Sequence, residues 1–239
     1  MAYRVNDSVL GRIKEIRRFP VKSLLGESLS TVQVERRGLV GDRLWAVQNR
    51  EGKFGSGKTT RRFQRMDGLF QLQAKYESAV PVVTMSDGTV YRGDDPNIHK
   101  ALSDFIGDPV TLAYEEAVSH FDEGPISIIS SSSIRTLSEQ LGKPVDPRRF
   151  RANLLLDIQE EGFVEDQWIN RAIQIGPDVV LRVVAPLNRC VMVNMSQQEL
   201  PKDDRILRTL AASHEATFGV FAKVEVGGHV ELDQPVKFS

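Results

Sequence analysis

The sequence predicts a mostly β protein, barrel-like, with a few short helices. Three observations carry that prediction. Period-two segments outnumber helical ones, turn residues separate them at short spacing, and only three stretches carry helical periodicity. Thr31 to Glu35 alternates as a half-buried strand should, and Leu44 to Gln48 reads as another strand. Val80 to Met85 and Thr89 to Tyr91 flank Asp87-Gly88, a pair that supplies the positive φ of a hairpin turn. A helix is predicted over Asn97 to Ile106, ended by Gly107. Tyr114 to Pro125 is polar, holds Gly124-Pro125 and is the predicted boundary between regions 1–115 and 116–239. A second helix is capped by Ser131 or Ser132, shows Ile134, Leu137 and Leu141 on one face and stops at Gly142. Ala172 to Gly176 and Val179 to Val184 are strands around a Gly-Pro-Asp turn. Asp203 to Phe218 is the third helix, with an acidic start and Gly219 behind it. Val224 and Val226, then Gly227-Gly228, then Val230 and Leu232 read as a second hairpin.

The chain of 239 residues fits one large domain or two small ones. Its formal net charge of -1 gives no global attraction to nucleic acid or to a membrane surface. No apolar run approaches the ~20 residues that span a bilayer. Met1 to Leu10 has no apolar core of a signal peptide. One cysteine makes no internal disulfide, so nothing marks secretion. These features predict a cytoplasmic protein of bacterial type. Arginines cluster at 17–18, at 61, 62 and 65, and at 148, 149 and 151. Such clusters are solvated surface, or they converge on one anion; only the fold decides.

Two segments carry chemistry. Cys190 is the lone cysteine, with Arg189 beside it after an apolar run that ends in Pro186-Leu187-Asn188. A cation next to a thiol favours the thiolate, which attacks electrophiles and binds soft metals. The other reading makes Cys190 a small buried hydrophobe. Gly52-Lys53-Phe54-Gly55-Ser56-Gly57-Lys58-Thr59 fits the P-loop pattern letter for letter. A P-loop needs a helix starting at its lysine, so that backbone amides hold phosphate. The residues after Thr59 have a thin apolar face and stop at Gly68, so the competing reading is a hairpin loop between Val47 and Phe63.

Six segments, in order, resemble the MOSC family. They are Phe19-Pro20-Val21-Lys22-Ser23-Leu24 with Gly26, Arg37 to Trp45, Ile126 to Ser130 with the serines that follow, Phe150 to Leu154, Phe163 to Trp168, and Arg189-Cys190. The layout is similar to the two-part form, in which a MOSC N-terminal β-barrel region precedes the MOSC domain, as in the family's amidoxime-reducing members. That implies a β-barrel MOSC domain with a smaller N-terminal β region. It also implies that the P-loop match is accidental.

The resemblance implies a molybdenum–molybdopterin cofactor and an oxidoreductase acting on small N-hydroxylated or N-oxide compounds. Cys190 would be the metal ligand and the catalytic residue. Lys22, Arg149 and Arg151 would take the cofactor's phosphate, with Ser131 and Ser132 offering a helix start. Asn153 and Ser23 would pair with the pterin, and Arg43 and Arg189 would also reach the cofactor. Trp168 and Phe163 are read as core, His214 as a satisfied histidine, and Asp166 as a carboxylate able to shuttle protons. With no cysteine set for an iron–sulfur cluster, electrons would come from a separate protein, such as a ferredoxin or a flavoprotein reductase. No pyridoxal phosphate is expected. A second reading makes the chain a carrier of the cofactor, or of sulfur as a persulfide on Cys190.

Overall fold

The computed structural model describes residues 9–239. The segment without a signal-peptide core, Met1 to Leu10, therefore lies outside the described residues up to position 8. Along the chain come β1 (Val9–Arg18), β2 (Val21–Lys22), β3 (Glu27–Leu29), β4 (Thr31–Glu35), β5 (Gly38–Leu39), β6 (Trp45–Asn49), β7 (Phe54–Ser56) and β8 (Phe63–Arg65). Then follow β9 (Gln73–Tyr76), β10 (Pro81–Thr84), β11 (Val90–Arg92), α1 (Asn97–Ile106) and β12 (Val110–Tyr114). The remainder is β13 (Ile126–Ser130), α2 (Ser131–Leu141), β14 (Leu154–Asp157), β15 (Ala172–Ile175), β16 (Val179–Asn188), α3 (Arg205–Ser213), β17 (Thr217–Val226), β18 (Gly228–Glu231) and β19 (Pro235–Phe238).

The fold is mostly β, as the alternation requires. Seven strands run in the order β14-β13-β17-β16-β15-β19-β1, and β1 pairs back onto β14 to close a barrel. Every second residue points inward: Ile13, Ile126, Ile128, Leu154, Leu156, Ile173, Ile175, Leu181, Val183 and Val220 are all fully buried in one cluster. Closure removes the two sheet edges that would otherwise remain open. β4, β5 and β18 form a small sheet whose Val32, Val34, Leu39 and Val230 join the same core.

A second body holds β6, β7, β8 and β12 with β2 alongside β6, the three-stranded sheet β9–β11, and α1. Its own core includes Val21, Leu24, Val47, Leu72, Val83, Ile98 and Leu102. The division at 115/116 does not separate the sheets. β1 and β3, from the first region, sit in the barrel sheet, and β4 and β5 pair with β18.

Several elements match the sequence reading. β10 and β11 form the hairpin about Gly88 at φ 87°. β15 and β16 pair around Gly176, and α1 ends at Gly107. Three elements differ. The cap of α2 is Ser130, whose Oγ accepts from the Ser133 amide, because the carboxylate of buried Glu165 draws the chain in by accepting from the Ser130 amide at 2.6 Å. α3 stops at Ser213, since Glu215 and Ala216 both adopt left-handed backbone, and Phe218 belongs to β17. Gly227-Gly228 is a crossover: β17 pairs with β13 and β16, whereas β18 leaves to pair with β4. A Cβ on Gly227 would stand 2.6 Å from the Val34 carbonyl oxygen, so the glycine permits the close crossing.

Gly219 has a φ of 73°, and a Cβ there would lie 2.5 Å from the Ile128 carbonyl oxygen of the paired strand. Gly219→Ala is expected to destabilise the protein by about 2–3 kcal/mol, read from the urea midpoint. An unchanged midpoint would show that β17 tolerates a side chain at this point.

Candidate functional site

A cavity of about 500 Å³ opens where the second body meets one end of the barrel. Three parts of the chain build its wall. Lys22, Ser23, Arg43 and the β7–β8 region with Ser56, Lys58, Arg62 and Phe63 come from the first part. Phe121 to Gly124 come from the connecting segment. Ser127, Arg149 to Arg151, Leu187 to Cys190, Met192 and Val193 come from the barrel half. Seven cationic side chains face two carboxylates, Asp122 and Glu123, so the cavity favours an anion.

Three wall residues, Ser23, Arg43 and Arg151, have left-handed backbone, with φ of 65°, 52° and 52°. A non-glycine residue held there costs about 1–3 kcal/mol, and such strain concentrates at functional sites. Lys22 sits on β2, whose pairing with β6 fixes it, and is only 4% exposed. Its Nζ lies 2.6 Å from Asp122 Oδ1. Burial pulls the ammonium pKa down to about 8; Asp122 opposes the shift, and Arg43 and Arg62 add to it. Ser23 Oγ donates to the Gly55 carbonyl at 2.8 Å.

Arg43 is answered within the protein. Its guanidinium bonds the carboxylate of fully buried Asp42, donates to the Arg151 carbonyl at 3.2 Å and stands 4.8 Å from the centre of the Phe19 ring. Arg151 is not answered. Its guanidinium lies against the rings of Phe19 at 4.3 Å and Phe70 at 5.1 Å. Both terminal nitrogens are shielded from solvent and have no hydrogen-bond partner. Burial, with Arg43 adding to it, draws the Arg151 pKa down to about 9. Buried donors left without acceptors are rare in native proteins, and these two are the donors an anion would use.

Arg149 donates to the carbonyls of Pro201 at 2.6 Å and Met195 at 3.3 Å. Arg189 is spent on carbonyls of Phe218 and Phe150, so its bonds run to the backbone rather than to the neighbouring thiol. Burial brings its pKa down to about 10, with Glu123 opposing. Cys190 is half-buried and free, and stands at the start of a 3-10 turn, Val191–Asn194, that opens on the cavity. Among the described residues no three His, Cys, Asp or Glu come together as metal ligands. A metal held here would bring most of its ligands with it, and Cys190 is the thiol in the wall.

Three expected residues lie outside the cavity wall. Ser131 Oγ bonds Asp157 and the Ile158 carbonyl, and Ser132 Oγ donates to the Gly162 carbonyl. At the start of α2 the Ser130 amide already donates to Glu165, and the Ser133 amide donates to Ser130 Oγ. Asn153 works from behind: its Oδ1 accepts from the Ser127 amide and hydroxyl, and its Nδ2 donates to the Arg17 carbonyl. It thereby holds Ser127, which does face the cavity. Asp166 also lies elsewhere, bonded to His214 Nε2 at 2.7 Å. His214 is satisfied, with its other nitrogen on the Thr217 carbonyl and its ring stacked on Phe163. Trp168 is core, 3% exposed.

The Gly52–Thr59 run forms a turn, β7 and a loop, and the next element is β8. No helix starts at Lys58, so the phosphate cradle of a P-loop is absent. Its lysine nevertheless reaches the cavity, as do Arg62, Phe63, Asp122 and Glu123. Sequence reasoning missed these five. The basic cluster at 61–65 was the available signal for Arg62, and the P-loop-like run for Lys58.

The depressed Lys22 pKa has a measurable sign. The folded protein holds fewer protons on Lys22 than the unfolded chain does between about pH 8 and 10.5. Stability is therefore expected to rise with pH across that window by at most about 3 kcal/mol from this group. Denaturant titrations from pH 7.5 to 10.5 check it, and Lys22→Met should flatten the slope. A slope that is the same in both proteins would refute the assignment.

Comparison with known proteins agrees with the architecture. A family model for the MOSC domain matches residues 115–237, and one for the MOSC N-terminal beta barrel domain matches residues 10–107. Molybdenum cofactor sulfurase from Oryza sativa subsp. japonica is 26% identical over 258 residues, covering 84% of this chain and 30% of that protein. Human mitochondrial amidoxime-reducing component 1 is 24% identical over 282 residues, covering 95% of this chain and 82% of that protein. The chain thus spans about a third of the length of the curated sulfurases it matches. The crystal structure of the YUAD protein from Bacillus subtilis shares the fold at a TM-score of 0.53 and 13% identity, covering 95% of this chain and 93% of that one. With both matches running in order through barrel and second body, the chain belongs to the MOSC family, in the form that carries a MOSC N-terminal β-barrel domain.

Proposed function

We propose that this protein binds a molybdenum–molybdopterin cofactor in the cavity and reduces small N-hydroxylated compounds. The observation that carries the reading is the meeting, in one cavity, of a free thiol and a buried guanidinium whose terminal nitrogens lack acceptors. Arg151 and Lys22 have the charge to hold the phosphate end, and Arg151 presents the forked donors that suit it. Ser127 and Ser23, whose hydroxyls donate to Asn153 and to the Gly55 carbonyl, would present hydroxyl oxygens as acceptors to the pterin. Cys190 supplies the protein thiolate for a sulfur-rich metal, which requires the thiol to lose its proton. The bound cofactor would supply the two-electron redox chemistry; the protein positions it.

Cleaving an N–OH bond to N–H consumes two electrons and two protons and releases water. The electrons come from a separate donor protein. Glu123 is a carboxyl in the wall; burial raises its pKa, and Arg189 and Lys58 oppose the shift. Asp166 cannot shuttle protons there, since it lies outside the wall and bonds His214. The carrier reading uses the same thiol, as a persulfide, and predicts cofactor binding without turnover.

Protein produced in a host that makes the cofactor separates these readings. Wild type is expected to hold about one molybdenum per chain and to reduce benzamidoxime with a chemically reduced viologen. Cys190→Ser and Cys190→Ala are expected to retain about tenfold less molybdenum, by elemental analysis, and no activity. Full occupancy in both variants would overturn Cys190 as the ligand. Full occupancy in wild type without any turnover would favour the carrier.

A further inference from the structure

One wall of the cavity carries an aromatic ring to which the reading above gives no part in holding the cofactor. The ring of Phe63 is surrounded by three cations: Lys22 Nζ at 5.2 Å from its centre, Lys58 Nζ at 5.6 Å and the Arg62 guanidinium carbon at 5.6 Å. Two of these are committed. Lys22 is buried against Asp122, and an Arg62 terminal nitrogen bonds the carbonyls of Ser119 and Phe121. Lys58 is exposed, and no carboxylate lies within ion-pair distance of it among the described residues. Arg62 Nε is shielded and lacks an acceptor.

The facing surface is the turn that carries Cys190. Ser56 Oγ donates to Met192 Sδ at 3.5 Å, which seats the β7–β8 wall against that turn. Met192 and Phe63 both line the cavity, as does Leu187. Aromatic and thioether surfaces receive a flat ring, and uncommitted cations at its rim receive an anion. Two carboxylates also face this space. Asp122 is taken by Lys22; Glu123 is exposed and lies in the field of Arg189 and Lys58, with no ion pair to either.

We propose that Phe63, Met192, Lys58 and Arg62 Nε form a substrate subsite for a planar aromatic carboxylate, so that the preferred N-hydroxylated substrate carries an anionic group on its ring. The proposal rests on the reductase reading and names its substrate class. Lys58 then selects among substrates, and the lysine of the accidental P-loop pattern acquires a role at the mouth of the cavity.

Two probes test it: benzamidoxime, which is neutral, and 4-carboxybenzamidoxime, which differs by one carboxylate. Affinity is measured by calorimetry on the cofactor-loaded, oxidised protein without electron donor, and KM with reduced viologen. Wild type is expected to bind the carboxylated probe about tenfold more tightly than the neutral one. Lys58→Ala should bring the ratio of the two affinities near one, Lys58→Glu should invert it, and Lys58→Arg should keep it. Equal affinities in wild type, or a preference that survives Lys58→Glu, would overturn the subsite. If loaded protein reduces neither probe, the reductase reading fails, while the affinity ratio still decides the subsite.

Discussion

A charge buried without a partner governs this structure. The Arg151 guanidinium remains protonated at any ordinary pH, and removing it from water without compensation costs several kcal/mol. Two aromatic rings offset part of that, at about 1–2 kcal/mol per well-placed cation–π contact. The backbone at Arg151 is also left-handed, which adds to the cost. A fold that holds this arrangement must over-determine it from elsewhere. It does so through barrel closure: β1 pairs with β14, and the Arg17 amide donates to the Asn153 carbonyl at 2.8 Å. That pairing carries Phe19, just past the end of β1, under the guanidinium of Arg151. The Arg43 amide donates to the Phe19 carbonyl at 2.7 Å, so the second arginine is fixed to the same residue.

The two arginines that share Phe19 are treated differently, and the difference makes the site. Arg43 has Asp42 as an internal counter-ion, whereas Arg151 has only rings. Lys22 occupies a middle position, since its counter-ion Asp122 is mostly exposed on the segment between the two halves. The cavity thus keeps an uncompensated cation at Arg151 and compensated ones at Arg43 and Lys22. The start of α2 already holds a carboxylate of its own. Glu165, buried and with its pKa raised by that burial, already accepts there from Ser130 and Ser133.

Much of this was legible in the sequence. Alternation marked strands such as β4, and Asp87-Gly88 marked the β10–β11 hairpin of the second body, because both signals are local. The arginine clusters and the Arg189-Cys190 pair were visible as residue types, and the structure brings Lys22, Ser23, Arg43, Arg149, Arg151, Arg189 and Cys190 to one cavity. What failed depended on distant partners. Gly227-Gly228 has hairpin composition, yet β18 finds its partner in β4, nearly two hundred residues earlier. The periodicity of α3 continues past Ser213, but the chain breaks so that Phe218 can stack on Phe150 at 3.9 Å. Ser131, Ser132 and Asn153 have the right chemistry for a cofactor, and internal acceptors and donors claim them first. Left-handed backbone at Ser23, Arg43 and Arg151 leaves no composition signal, because none of the three is glycine or asparagine.

The seam between the halves is therefore not where the sequence divides. The matched N-terminal segment begins at residue 10, inside β1, which is a barrel strand. The matched C-terminal segment begins at residue 115, after the strand that closes the barrel has passed. Taken alone, the second segment would leave the exposed edges of β14 and β19 unpaired, and β18 without β4. The cavity follows the same logic. Its thiol and its orphaned guanidinium come from the barrel half, while Lys22, Phe19 and Phe63 come from the first. Because the first region lends β1 and β3 to the barrel sheet and pairs β4 with β18, both walls of the cavity depend on the same pairings.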